Sequence, residues 1–124
     1  CQPRDAFIGW SSEQRRAGLL RLTNNTRFLI LPWVRVPHLA SHLISRVCRR
    51  LSRDWQEKYG HPIELVETFV ERDRFAGTCY RAAGWQRVGV TTGRGRNGGH
   101  AAPGPVKEIY LRPLRPDFRA RLGV

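Results

Sequence analysis

Basic side chains dominate the chemistry open to this chain. Its 22 lysines and arginines outnumber 10 aspartates and glutamates, for a formal charge of +12 at pH 7, and all but Lys58 and Lys107 are arginine. Guanidinium forks pair bidentately with phosphate and displace counterions, so the balance points to nucleic acid or another polyanion. A G+C-rich genome replaces lysine by arginine everywhere, so the net charge is more informative than the choice of arginine. Two groups concentrate the charge. Arg46, Arg49, Arg50 and Arg53 recur at helical spacing, and Arg94 and Arg96 sit in the run Gly93-Arg94-Gly95-Arg96-Asn97-Gly98-Gly99. The stretch from Gly89 to Arg96 lacks the Lys-Ser/Thr pair of a phosphate-binding loop, which leaves a doubly positive loop suited to a nucleic-acid backbone or to a solvated surface.

The remaining chemistry-bearing residues are sparse. His38 and His42 stand four apart, the spacing of two metal ligands on a helix, but no glutamate follows His38 and no third ligand is evident, so no metal is expected. Glu64 and Glu67 are separated by an odd number and cannot share a face of a straight strand, which argues against a carboxylate pair. Glu67 can act as a general base if burial raises its pKa, or can pair with an arginine. Cys1, Cys48 and Cys79 are odd in number and contain no Cys-x-x-Cys, which points to a reducing, cytoplasmic compartment without structural zinc.

These residues need elements to position them. Ser11 to Gly18 reads as a short helix capped by Ser11 or Ser12. Arg27 to Val36 reads as a strand covered on both faces, with Pro32 interrupting it. From His38 to about Tyr59, Leu39, Leu43, Val47, Leu51 and Trp55 recur every fourth residue, with Ala40, Ile44 and Cys48 widening the apolar stripe, and the four arginines lie on the other side. Gly60 and Pro62 stop that helix. Ile63 to Val70 is a second strand, Arg72 to Ala83 a helix closed by Gly84, and Trp85 to Val90 and Glu108 to Leu111 two more strands around the glycine-rich loop. The resulting order, β-α-β-α-β-β, predicts an α/β fold, a mixed sheet with flanking helices. Its organisation reads as an N-terminal partial segment over 1–26, a core over 27–114 and a basic tail over 115–124. The chain begins at Cys1 and has no methionine, so a natural protein extending further toward the N-terminus is expected. Its longest apolar run, Phe28 to Val34, is far short of the ~20 residues that cross a bilayer.

The segment Asp73-Arg74-Phe75-Ala76-Gly77-Thr78-Cys79-Tyr80-Arg81-Ala82-Ala83-Gly84-Trp85 resembles the last helix-to-strand passage of the GNAT N-acetyltransferase superfamily. Ala76 and Tyr80 match its pattern, Asp73 stands for the usual Asn, and Gly84-Trp85 for Gly-Phe. The resemblance implies the C-terminal half of a GNAT-like mixed sheet. It also implies an acyl-coenzyme A N-acyltransferase in which Tyr80 protonates the departing thiolate, with Glu67 as the base. Acetyl-coenzyme A would lie against Val34, Val36, His38, Leu39, Ala40 and Ser41. At that junction the superfamily carries a glycine-rich turn that binds pyrophosphate, and this chain has Val36-Pro37-His38-Leu39-Ala40-Ser41-His42, without glycine.

A second resemblance covers most of the chain. Asn24-Asn25-Thr26-Arg27-Phe28-Leu29-Ile30-Leu31-Pro32-Trp33-Val34, Glu67-Thr68-Phe69-Val70, Arg74 to Trp85, Gly93-Arg94-Gly95-Arg96 and Lys107-Glu108-Ile109-Tyr110, in this order, are similar to the Druantia anti-phage protein A family. The resemblance implies a prokaryotic cytoplasmic protein of defence islands, or one attached to transposase-like sequences. Taken with the charge, it yields two expectations of function. One is a domain that contacts nucleic acid through Arg46, Arg49, Arg50, Arg53, Arg94 and Arg96, with defence or transposase proteins as further partners. The other is the acyltransferase, or an inactive GNAT-like interaction domain.

Overall fold

A computed structural model describes residues 1–25, 38–71, 78–91 and 106–124. Its elements run α1 (Gln2–Ile8), α2 (Ser12–Gly18), a 3-10 turn (Leu19–Arg21), β1 (Leu22–Asn24), α3 (Leu39–Tyr59), β2 (Leu65–Glu71), α4 (Thr78–Ala82), β3 (Gln86–Val90), β4 (Lys107–Pro113) and α5 (Phe118–Arg121). The strands form one sheet in the order β1-β2-β4-β3. β1 pairs with β2 in parallel, while β2 with β4 and β3 with β4 are antiparallel. This is the mixed α/β architecture that the alternation of strand and helix signals predicts.

The parallel partner of β2 among the described residues is Leu22–Asn24, in register Leu22 to Leu65 and Asn24 to Glu67. The sequence reading begins its first strand later, at Arg27, and that stretch lies outside the described residues. A parallel pair needs a long crossover, and α3 belongs to it.

Strand alternation divides the core between the two sheet faces. On one face Val66, Val70 and Tyr110 pack with Ile44 and Cys48 of α3 and with Tyr80 of α4. On the other, Leu65, Ile109 and Leu111 pack with Ile8, Trp10 and Phe118. The helices thus flank the sheet on both sides, with α1 and α5 together on the second. Ile8, Leu65, Ile109 and Leu111 have no solvent exposure, and each contributes about 1.5–3 kcal/mol by leaving water.

The helix over 39–59 forms as its periodicity predicts, but the buried stripe is not the row of every fourth residue. Leu43 is 38% and Val47 58% exposed, whereas Ile44 and Cys48 are buried and Leu51 packs against them. Steps of four overshoot the 3.6-residue turn by about 40° each, so a five-residue row winds around the cylinder. The positions 44, 48, 51 and 55 stay on one side, and those reach the sheet.

At the N-terminus the chain makes one helix that the sequence reading does not anticipate. α1 starts with Pro3 in its first turn and ends at Gly9, and it presents Ile8 to the sheet. Pro3 lies so close to β3 that a Cβ at Gly89 would fall 2.7 Å from the Pro3 Cβ, and only glycine allows that approach. α2 forms as expected from its cap. Ser11 accepts from the Gln14 amide, and the Gln14 side chain accepts from the Ser11 amide, a reciprocal box. The expected end of the 72–83 helix at Gly84 is also found: Gly84 takes φ 85°, the left-handed conformation that releases the chain into β3. Among the described residues no helix is long and apolar enough to cross a membrane.

Candidate functional site

Between the end of β1 and the sheet-facing side of α3 lies a cleft of about 330 Å³. Thr23, Asn24 and Asn25 form its polar side, and Ile44, Val47, Leu51 and Val66 contribute apolar walls. Trp55 of α3 and Trp85, just before β3, complete it. β1 delivers the asparagines because its parallel register with β2 carries the chain toward the carboxyl ends of both strands, where open α/β sheets place their ligand crevices. The indole Nε1 atoms of Trp55 and Trp85 are buried and have no hydrogen-bond partner among the described residues. Trp10 differs, since its Nε1 donates to Asp5 at 2.9 Å.

Tyr80 stands behind the polar side of this cleft. Its hydroxyl accepts from Asn25 Nδ2 at 2.8 Å, while Asn25 also donates its amide to the Glu67 carbonyl and accepts from Thr68 Oγ1 at 2.9 Å. The ring packs edge-on against Trp85, with centroids 5.0 Å apart, and alongside Tyr110 at 6.1 Å. Burial pushes the Tyr80 phenol above the ordinary tyrosine value, against the lowering influence of its hydrogen bonds with Thr68 and Asn25. Tyr80 is thus a neutral, buried hydroxyl that fixes Asn25, the residue just after β1. On the far side of Tyr110, its own hydroxyl donates to Glu108 and accepts from Arg81 Nε at 3.2 Å.

Glu67 does not share that environment. Alternation turns it to the α1 face, where Arg4 Nη1 donates to both carboxylate oxygens at 3.1 Å and both side chains are buried. Arg4 also meets Asp5 at 3.2 Å, and Arg15 reaches Asp5 at 3.3 Å. Burial raises the Asp5 carboxyl, but the Trp10 N–H, Arg4 and the N-terminal ammonium together bring it below the ordinary carboxylate value. The structure therefore does not bring Glu67 and Tyr80 together on one face of the sheet. Glu64 goes elsewhere again, 3.8 Å from Arg121.

The arginines of α3 face outward. Arg46, Arg49, Arg50 and Arg53 are all exposed at i, i+3, i+4 and i+7, and among the described residues only Arg50 has an acidic neighbour, Asp54 at 3.8 Å. Arg94 and Arg96 lie outside the described residues, as do Val34 and Val36. His38 is the N-cap of α3, exposed, with φ 57°, and its carbonyl accepts from Ser41 Oγ. Leu39, Ala40 and Ser41 form the first turn and are half-buried. His42 is exposed, and no group of three or more metal-ligating side chains occurs among the described residues.

The family model for Druantia protein DruA matches residues 1–100, from α1 through β3 and beyond. The chain belongs to the DruA family. That membership associates it with anti-phage defence. Comparison with curated proteins and with solved structures found no match.

For a DruA-family chain, Tyr80 and the α3 arginines stand out in the sequence as candidates, whereas Arg4, Asn25 and the two indoles do not. Arg4 is legible only as one more arginine, because its partner is 63 residues away. Trp55 belongs to an apolar row and Trp85 to a helix-to-strand motif, so neither signals a cleft by itself. The described residues do not fit the pyrophosphate of coenzyme A. At the junction of α3, His38 carries a side chain in a left-handed conformation where a glycine would leave room, and Ser41 spends its hydroxyl on the His38 carbonyl. No step through coenzyme A follows from this DruA-family structure.

Proposed function

We propose that this DruA-family chain is a cytoplasmic defence domain that contacts nucleic-acid backbones through Arg46, Arg49, Arg50 and Arg53 of α3, with Arg94 and Arg96 as further phosphate contacts. The observation that supports it is the exposed arginine face of α3, three of whose four guanidinium groups have no acidic neighbour among the described residues. An arginine kept on a protein surface without a carboxylate is free to take phosphate bidentately, and the chain carries +12 overall. Four positions within two helical turns span about 10 Å along the axis, so one stretch of backbone can meet all of them. Such contacts position a strand and carry no sequence information by themselves. Association with other defence proteins or with transposase-like proteins would add to this contact rather than replace it.

Binding of labelled single-stranded and duplex DNA, and of RNA, measured from 50 to 200 mM salt, tests the proposal. The wild-type chain gives a linear fall of log K with log salt. Replacing the four α3 arginines by glutamine lowers the slope by about 3, at roughly 0.7–0.9 per phosphate contact, and leaves stability nearly unchanged because the positions are exposed. Absence of binding to every nucleic acid at low salt, or an unchanged slope in the quadruple variant, sinks it.

A further inference from the structure

We propose that the cleft between β1 and α3 receives a single unpaired nucleobase, a reading that rests on the strand contact proposed above and gives it a second component. Its volume, about 330 Å³, sits near the lower end of the range for small-ligand sites, roughly 300–1,000 Å³, and suits one base. Its walls are flat and apolar, with Trp55 and Trp85 as aromatic surfaces of the kind on which bases stack. Both Nε1 atoms are buried, so what the indoles offer the cleft is ring surface. From the β1 side Thr23 brings a hydroxyl and Asn25 a carboxamide, groups that can donate to and accept from a base edge.

The approach to the cleft fits a strand. Leu43, Arg46, Val47 and Arg50 stand at i, i+3, i+4 and i+7, so they form one continuous face of α3. Val47 lines the cleft and is 58% exposed, and Leu43 beside it is 38% exposed. Two guanidinium groups therefore flank an apolar entrance. That arrangement holds a phosphate on each side while the base between them turns inward, as proteins that read unstacked bases require.

The test compares a short single strand with an abasic deoxyribose-phosphate strand of the same length, by fluorescence anisotropy on the full chain. The intact strand binds about tenfold tighter, in keeping with one stacked base. Trp55→Leu, which removes an aromatic wall, brings the two affinities close together, and Trp85→Phe, which leaves a smaller ring, narrows the gap several-fold. Both variants keep the wild-type salt slope and far-ultraviolet circular dichroism. Equal affinity of the two strands for the wild type, with its salt slope intact, overturns the cleft proposal and leaves the arginine contact standing. If the wild type binds neither strand, the arginine contact fails, and calorimetric titration with adenosine and thymidine decides the cleft. Saturable heat that Trp55→Leu abolishes upholds it, and absence of heat overturns it.

Discussion

Arg4 and Glu67 tie α1 to β2. Each is buried, and each is the other's main countercharge. Replacing Arg4 by methionine leaves a carboxylate in the core without its guanidinium, and urea denaturation should show a loss of about 3 kcal/mol or more. Arg4→Met combined with Glu67→Met should recover much of it, because the desolvation of both charges is removed together. Tyr80 gives a pH dependence whose sign follows from its environment. Burial raises its folded pKa, so the stability it contributes is complete below the ordinary tyrosine pKa of about 10 and is lost as pH rises through the higher folded value. Between pH 8 and 11 the wild type should therefore lose more stability than Tyr80→Phe, measured by chemical denaturation at each pH. Tyr80 is visible in the sequence as the tyrosine of a helix-to-strand motif. Its neutral, anchored state is not, because Thr68 of β2 and Asn25, just after β1, come from segments distant along the chain.

Among the elements, α3 shows how far periodicity carries and where it stops. An apolar face opposite an arginine face is plain from the spacing, and the helix occurs at Leu39–Tyr59. Which apolar residues touch the sheet is decided by the docking angle, and a row of every fourth residue drifts off that line. Ile44→Ala should cost about 2–4 kcal/mol, since it opens a cavity beside Cys48 and Tyr80, whereas Val47→Ala should stay within about 0.5 kcal/mol. Urea midpoints of the two variants check the difference. A reversed order would mean that Val47 and not Ile44 meets the core. For α2 the cap alone was sufficient, because its hydrogen bonds are local: Ser11→Ala should weaken the fold by about 1 kcal/mol, read in the same experiment.

At the scale of the whole molecule, both chain ends enter one core. Ile8 and Trp10 pack with Phe118 and Leu122, and Arg119 lies over the rings of Phe7 and Phe118 while donating to the Phe7 carbonyl. Deleting residues 1–9 would uncover Ile109 and Leu111 and leave Glu67 without Arg4. The truncated chain should lose near-ultraviolet circular dichroism and unfold with a shallower urea slope than the full chain. The sequence by itself determined the order of elements from α3 to β4, the outward arginine face, the caps at Ser11 and Gly84, and the family, because each is written in local spacing, single residue types or contiguous motifs. Only the tertiary structure decided that α1 joins the core, that Glu67 and Tyr80 part to opposite faces of the sheet, and that Trp55 and Trp85 share a cleft. Those outcomes depend on strand register and helix docking between segments distant along the chain, where no short-range pattern records the partner.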